Sequence, residues 1–505
     1  MSVILSVLPI VVLLFSLLAV KMSAIKASAL AFLISAVIFF IKYQSGVIGM
    51  ATSMAKGCSL ALFVVLIIWS AMFLYNLVKE VGALDVIDRN LEIMFTNRFI
   101  QFILLSWVFS AFLQGIAGFG VPVIVVTPIL IALGFAPVVS VAAVLVGHSW
   151  SISFGSMGSS IYAIGMVTHG SQTEIVVYMA IFGWLTMFCT GLIVCLIYGG
   201  PRQVIRGVPY VVSVAVPMGI VLYILARMEM FSVTGLLTGL TGPVACFVVN
   251  RIKSGKEDGA HSLYKSEINL FQSVLPYVLI VVLSIAFYII NPGLEFAFSF
   301  DGYTTGLGEA VAPEEKYVTF NLLKYPFSII MMSSLFSMVI FFRKGVFSKA
   351  KAKVILSNTA QKCISTTITI VFLLNMAVIM MDSGMINTIA EALVSLTGDL
   401  YPLAAPVIGL LGAFITGSNT NSNVIFGYLQ EAAIMRARKS KILLAYCNME
   451  FYKLMTTWKH GKKTNTANLL FYRGQGRSER LIPFWSLGAS ITKMWHTSIL
   501  KPIQS

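Results

Sequence analysis

A run of glycines ending in a proline interrupts an apolar stretch of the sequence, from Gly115 to Pro122. Glycine costs a helix about 1 kcal/mol relative to alanine and proline about 3 kcal/mol, so we expect a helix to break here. The freed backbone N–H groups and the N-terminus of the next helix would direct partial positive charge at a carboxylate. The alternative is close packing of helices through small residues. The binding candidates in this run are Gln114, Gly115, Gly118 and Gly120.

A second run is polar, with seven hydrogen-bonding side chains in the eight positions from Thr416 to Asn423. It follows an apolar window at 401–416 and precedes another apolar stretch. Hydroxyl and amide groups bind a carboxylate and a hydroxyl without a fixed charge in a membrane. An ordinary polar loop is the alternative interpretation. The candidates in this run are Thr416, Gly417, Ser418, Asn419, Thr420, Asn421, Ser422 and Asn423.

Three titratable residues are candidates for proton coupling, because ionisable groups within apolar segments are functional candidates by default. Glu80 and Asp382 lie at the ends of apolar segments, and His148 lies in a third polar and glycine-rich run at 147–160. Histidine changes its charge near neutral pH. The alternatives are a packing histidine and two carboxylates in the lipid headgroup region.

The elements that must position these residues are membrane helices. The chain is 58% hydrophobic and 11% charged, whereas soluble domains hold about 25% charged residues. Apolar runs long enough to cross a lipid bilayer recur along the chain, and they lack the alternation of a membrane barrel. The sequence therefore predicts an all-α polytopic protein of the cell membrane, with 12 or 13 transmembrane segments including a retained first helix.

Charge and repetition predict how the segments are arranged. The loop from Arg343 to Lys362 is basic without an acid, which predicts a cytoplasmic location, and the acidic loop 291–323 is predicted to face outward. A shift of 302 positions aligns both unusual runs, with Gly115 falling on Gly417. The predicted orientations make the two copies antiparallel. Inverted repeats with broken or re-entrant helices indicate a secondary transporter with its site between the repeats.

The repeat also predicts a division of the chain into five parts. They are N-terminal helices at 1–57, repeat 1 with the glycine-rich hairpin at 58–198, connecting helices at 199–362, an incomplete repeat 2 with the polar hairpin at 363–435, and a basic tail at 436–505. No enzyme motif, nucleotide-binding loop or metal-ligand spacing occurs. We therefore expect no catalysis, no cofactor, no metal and no nucleic-acid partner, and transport driven by an ion gradient.

The motifs resemble the lactate permease family of proton-coupled importers of 2-hydroxy monocarboxylates. The resemblance covers residues 1–435 and is most specific at 111–123, 147–160, 382–385 and 414–423. It implies an ion-transporter-type fold and a substrate such as L-lactate or glycolate at the two runs. Gln114 and Asn419 are neutral where several members have acids. If either acid carries the coupled proton in those members, the coupling site here has moved to His148, Glu80 or Asp382, or the coupled ion differs.

Several alternatives remain open at this point. One is a Na⁺-coupled carboxylate carrier or a cation/proton antiporter of similar fold, working as a monomer or a homodimer. Another concerns the tail, which holds 13 Lys and Arg residues against two acids. It is interpreted either as a segment that binds anionic membrane lipid or as out-of-frame translation from about residue 433, which would leave an inactive truncated permease. Translating the other two frames distinguishes them.

Overall fold

Apolar stretches of this length fold as helices because a helix satisfies its own backbone hydrogen bonds away from water. The structure, a computed structural model, describes residues 2–44, 46–94, 97–118, 121–168, 170–254, 267–290, 293–305, 310–398, 401–416 and 418–436. The basic tail beyond residue 436, Gly120 and Gly417 lie outside the described residues. The described helices are α1 (Ser2–Leu18), α2 (Ala24–Ile41), α3 (Gly46–Glu80), α4 (Ala83–Met94), α5 (Arg98–Ile103), α6 (Ser110–Ile116), α7 (Val121–Ala132), α8 (Pro137–Gly147), α9 (Gly155–Val167), α10 (Gln172–Gly199), α11 (Pro201–Arg227), α12 (Phe231–Ser254), α13 (Leu270–Ile290), α14 (Pro326–Arg343), α15 (Lys349–Asp382), α16 (Met385–Thr397), α17 (Tyr401–Thr416) and α18 (Asn419–Arg436).

Two shorter helical segments connect these helices. A π-helical turn at Leu104–Phe109 joins α5 to α6, and a 3₁₀ helix at Ser149–Phe154 joins α8 to α9. Both flank the glycine-rich part of the chain, where the regular helical ladder is interrupted. Such π-helical turns are frequent at functional sites.

Nine helical spans among the described residues are long and apolar enough to cross a membrane, and the pair α8–α9, bent by 46°, raises the number to ten. The prediction of an all-α polytopic membrane protein is therefore confirmed. The predicted count of 12 or 13 also included windows at 2–20, 121–135 and 401–416. The helices there are shorter than a full span: α1 has 17 residues, α7 has 12 and α17 has 16.

The loop predicted to face outward carries strands that the sequence did not predict. Strand β1 (Glu295–Phe300) pairs with β4 (Glu314–Asn321), and β2 (Tyr303–Thr304) pairs with β3 (Ala310–Val311), both antiparallel. Aromatic side chains stabilise the larger pair, where the rings of Phe298 and Phe320 lie 6.1 Å apart. The four strands form two separate two-stranded sheets, and we refer to them together as the outer sheet, after the predicted location of the loop.

The two longest helices, α3 and α15, pack against each other in opposite directions. Their hydrogen bonds connect increasing residue numbers in α3 with decreasing ones in α15: Ser53 to Asp382 at 2.6 Å, Trp69 to Thr367 at 2.9 Å and Asn76 to Thr359 at 2.9 Å. The antiparallel packing fits the predicted opposite orientation of the two repeats.

The glycine-rich run lies at the tip of a helical hairpin. Helices α5 and α6 lead to the break, and α7 returns, so that Arg98 at the start donates to the carbonyl of Leu133 at 2.6 Å. The rings of Phe102 and Phe135 also lie 5.0 Å apart. We call residues 98–132 hairpin 1. Its two ends lie together, as the predicted re-entrant hairpin requires.

The polar run lies at the tip of a second hairpin, formed by α17 and α18. The Ser422 hydroxyl donates to the carbonyl of Gly409 at 3.3 Å, and the Gln430 amide donates to the carbonyl of Ala405 at 3.1 Å. Residues later in α18 thus meet residues earlier in α17, so the chain turns back on itself between them. We call residues 401–436 hairpin 2.

Helix α12 supports hairpin 1 through close backbone contact. A Cβ atom at Gly115 would lie 2.7 Å from the backbone of Gly235, and one at Gly239 would lie 2.5 Å from the Cα atom of Phe112. Such contact through small residues is how helices associate in the absence of a hydrophobic driving force. Gly115 therefore serves close packing, the alternative considered for this run.

Candidate functional site

The tip of hairpin 1 contacts the start of α9. Helix α6 ends at Ile116, Ala117 is extended, and the Gly118 N–H donates to the Ser156 hydroxyl at 2.8 Å. A Cβ atom at Gly118 would lie 2.5 Å from that hydroxyl oxygen. The tip can therefore approach α9 only because residue 118 lacks a side chain.

Gln114 lies beneath this contact. Its side chain is buried, and a Cβ atom at Gly155 would lie 2.7 Å from its amide nitrogen. A Cβ atom at Gly118 would lie 3.1 Å from the same nitrogen. Gln114 thus brings a neutral amide to the point where the tip of hairpin 1 meets α9.

The start of α9 has an unusual backbone. Ser156 (φ 49°, ψ 49°), Met157 (φ 52°, ψ 40°) and Gly158 (φ 77°, ψ 13°) adopt consecutive left-handed conformations. For residues with a side chain this conformation costs about 1–2 kcal/mol each. Strain of this kind concentrates at ligand sites and switch regions, where the surrounding structure holds it in place.

The tip of hairpin 2 contacts the same segment of α9. The Asn419 amide donates to the Ser160 hydroxyl at 2.6 Å. The Asn423 amide donates to the Ser160 hydroxyl and to its carbonyl oxygen, both at 3.0 Å. Asn419 and Asn423 are one helical turn apart in α18, so both reach one partner.

The segment from Ser156 to Ser160 therefore bridges the two hairpins. Ser156 binds the tip of hairpin 1 and Ser160 binds the tip of hairpin 2. The sequence indicated both tips and the polar run 147–160, but it did not single out these two serines. Their partners lie 38 and 259 positions away in the chain, and no local pattern relates positions that far apart.

The other polar residues of the second run differ in their hydrogen bonds and burial. The Ser418 hydroxyl accepts from the Asn421 N–H at 3.3 Å, and Ser422 bonds within hairpin 2. The side-chain oxygens of Asn421 and Asn423 are buried and accept no hydrogen bond from the described residues. Thr420 is half-buried, and the side chain of Thr416 lies outside the described residues. The two amide oxygens are therefore buried acceptors to which no described residue donates.

His148 is buried at the end of α8, but it lies among backbone groups. Its Nδ1 atom lies 2.5 Å from the carbonyl oxygen of Val144, one turn earlier in the same helix. Its own carbonyl accepts the hydroxyl of Ser151 at 2.7 Å. These contacts agree with the packing alternative and connect His148 to neither hairpin tip.

The two acidic candidates lie far apart. Asp382 contacts Ser53 near the start of α3, whereas Glu80 ends that helix. At 1.5 Å per residue, about 40 Å of helix separates Ser53 from Glu80. Asp382 also lies 3.7 Å from the Lys56 ammonium, a buried cation that the sequence reasoning did not identify. The structure thus separates the two acids and gives only Asp382 a charged partner among the described residues.

Known proteins with similar sequences are permeases. The sequence profile of the L-lactate permease family matches residues 2–449. An L-lactate permease of Streptococcus iniae is 28% identical over 441 residues, covering 85% of this chain and 90% of the relative. An L-lactate permease of Bacillus subtilis is 23% identical over 425 residues, covering 76% of this chain and 74% of the relative. The glycolate permease GlcA of Escherichia coli is 25% identical over 430 residues, with 76% and 74% covered.

No solved structure matches the chain. The match to the family extends over nearly the whole described region and ends beyond the predicted start of the basic tail at residue 436. With many apolar helices and permeases as relatives, this is a multi-pass protein of the bacterial plasma membrane. The chain belongs to the L-lactate permease family.

Proposed function

We propose that this chain imports a small 2-hydroxy monocarboxylate, such as lactate or glycolate, by proton symport. The observation that carries the proposal is the meeting of both hairpin tips on one strained segment of α9, through Ser156 and Ser160. The relatives named for L-lactate and for glycolate support this substrate class, because both compounds carry a hydroxyl next to a carboxylate.

The chemistry of the tips fits such a substrate. Helix α7 begins at Val121 and α18 begins at Asn419, and helix N-termini attract anions through their free N–H groups and the helix dipole. The buried oxygens of Asn421 and Asn423 accept no hydrogen bond from the described residues. A substrate hydroxyl would supply a donor to one of them, while the helix N-termini bind its carboxylate.

Alternating access between inverted repeats is the second part of the proposal. When 302 is added to its residue numbers, α3 (Gly46–Glu80) corresponds to 348–382. This range nearly coincides with α15, which is Lys349–Asp382. With the same shift, hairpin 1 (98–132) corresponds to 400–434, and hairpin 2 is 401–436. Together with the antiparallel contacts of α3 and α15, this agreement supports two related halves of opposite orientation, with the substrate at their interface.

Proton coupling is tested by transport under defined gradients. Labelled L-lactate uptake is measured in a permease-null bacterial host, with and without an uncoupler, and with Na⁺ replaced by K⁺. We expect uptake that falls with the uncoupler and does not depend on Na⁺. Uptake that requires Na⁺ and ignores the proton gradient would support the alternative, a Na⁺-coupled carboxylate carrier. The neutral side chains of Gln114 and Asn419 favour that alternative, because several family members have acids at these positions.

A further inference from the structure

A buried cation lies at the junction of α3, α15 and the outer sheet. The Lys56 side chain is fully buried, and its ammonium lies 3.0 Å from a Glu314 carboxylate oxygen and 3.7 Å from Oδ1 of Asp382. It also lies 5.2 Å from the centre of the Tyr317 ring. We call Lys56, Glu314 and Asp382 the charge cluster.

Hydroxyl groups hold the second oxygen of Asp382. The Ser53 hydroxyl donates to Oδ2 at 2.6 Å, and the Tyr303 hydroxyl donates to the same atom at 3.1 Å. Burial, reinforced by the negative charge of Asp382, raises the pKa of the Tyr303 phenol above its ordinary value. Tyr303 therefore keeps its proton and remains a donor, while among the described residues Oδ1 faces the ammonium of Lys56.

The charges in the cluster do not balance. One ammonium faces two carboxylates, so the cluster carries one excess negative charge when all three groups are ionised. Excess charge is costly in a buried site. The Glu314 side chain is 41% exposed and is partly hydrated, whereas that of Asp382 is only 10% exposed. A single added proton would neutralise the cluster, and the buried Asp382 gains most from it.

The charge cluster is connected to the proposed substrate site through α18. Helix α15, which ends at Asp382, packs against α18, and the buried Glu431 lies in α18. The same helix begins with Asn419 and Asn423, which bind Ser160. The helix that carries Asp382 therefore contacts the helix that forms one side of the proposed substrate site.

We propose that the charge cluster is where the coupled proton binds, with Asp382 as the acceptor and Lys56 as the ammonium shared between Asp382 and Glu314. A proton from a hydronium ion joins Oδ1 of Asp382, giving a carboxylic acid and water, while Lys56 stays paired with Glu314. When Lys56 turns from Glu314 to Asp382, it stabilises the carboxylate and the proton leaves to water. This inference rests on the proposed symport and gives it a site.

The test compares net accumulation with exchange, because only accumulation requires proton movement. Purified protein in proteoliposomes receives labelled L-lactate, either under an inside-alkaline gradient or as exchange against internal L-lactate without a gradient. A gradient of about one pH unit sustains about a tenfold accumulation for one proton per carboxylate. The variants are Asp382→Asn, Lys56→Met and the double variant, with Glu391→Gln as a control, since Glu391 pairs with Arg436 outside the cluster.

We expect Asp382→Asn to exchange lactate but to lose gradient-driven accumulation, and Glu391→Gln to keep both. If Asp382→Asn leaves Lys56 without its partner and loses exchange as well, the double variant should regain exchange and still fail to accumulate. Accumulation by either variant that lacks Asp382, or loss of exchange in the single and the double variant alike, would overturn the proposal. Failure of the unmodified protein to transport any 2-hydroxy monocarboxylate would instead overturn the proposed function and this inference with it.

Discussion

At the scale of single residues, Ser160 holds the tip of hairpin 2 on α9, since its hydroxyl accepts from Asn419 and Asn423. The sequence identified both asparagines because their amides crowd into a run that interrupts apolar helices. It could not identify Ser160 or Lys56, because the partners that give these residues meaning lie hundreds of positions away. The polar composition of the run indicates where the hairpin tip lies, whereas the residues that contact the tip are known only from the fold.

Replacing Ser160 with alanine should weaken substrate binding. The variant leaves the buried amide of Asn419 without its acceptor, and an unpaired buried group costs about 1–3 kcal/mol. We predict that the KM for lactate uptake rises about tenfold, since about 1.4 kcal/mol corresponds to a factor of ten. The matched control is Ser334→Ala, a buried serine whose hydroxyl bonds to its own helix at Ile330. Equal KM values for the two variants would refute a role for Ser160 in the site.

Replacing Gly118 with alanine should separate hairpin 1 from α9. The new methyl group would lie 2.5 Å from the Ser156 hydroxyl oxygen, so the hydrogen bond from the Gly118 N–H must break. We predict that the initial rate of lactate uptake falls about tenfold, the effect of about 1.4 kcal/mol.

A second variant checks that the loss comes from this contact. Ser156→Gly removes the obstructing side chain and suits the left-handed conformation of that residue. The double variant Gly118→Ala/Ser156→Gly should therefore transport faster than Gly118→Ala alone. A double variant that is as slow as the single one, at equal membrane expression, would show that the contact with Ser156 is not the cause.

At the scale of elements, two helical hairpins bring the glycine-rich run and the polar run to α9. Hydrophobicity and the Gly, Pro and Asn runs sufficed to predict where helices break. The hairpins predicted at both runs rested on the repeat and the resemblance, because apolar windows alone do not tell whether the chain crosses the membrane after a break or turns back. The turn becomes visible only through contacts between the arms, such as the one between Arg98 and Leu133.

The re-entrant form of hairpin 1 predicts which side of the membrane its ends face. In a variant whose native cysteines are replaced by serine, Arg98→Cys and Leu133→Cys should both react with a membrane-impermeant thiol reagent from the cytoplasmic side only. Met435→Cys at the open end of hairpin 2 should react from outside. The neighbouring Arg436 bonds to Asn387 in α16, the helix that follows Asp382 at the predicted outer end of α15.

Two marker positions calibrate this labelling experiment. Glu315→Cys in the outer sheet should react from outside, and Lys349→Cys at the start of α15 should react from inside. Reaction of Arg98→Cys and Leu133→Cys from opposite sides would mean that the segment crosses the membrane, which would contradict the hairpin.

At the scale of the whole molecule, the antiparallel contact of α3 with α15 supports the proposed inverted repeats. The sequence predicted this arrangement from loop charges and from the 302-position offset, two observations that do not depend on each other. It did not predict the outer sheet, because strands in a polar loop leave no long apolar window. The strands of that sheet supply Glu314 to the charge cluster and Tyr303 as a hydrogen-bond donor to Asp382, so the missed element is also the one that completes the proposed proton site.

Competition between substrates tests the central claim, that the site formed by the two hairpin tips and α9 carries a small 2-hydroxy monocarboxylate. Purified protein in inside-alkaline proteoliposomes is given labelled L-lactate together with unlabelled glycolate or unlabelled acetate, which lacks the hydroxyl. We predict uptake that glycolate inhibits strongly and acetate weakly, and that Ser160→Ala slows far more than Ser334→Ala does. Uptake that acetate inhibits as well as glycolate does, or the absence of lactate uptake by the unmodified protein, would contradict the account.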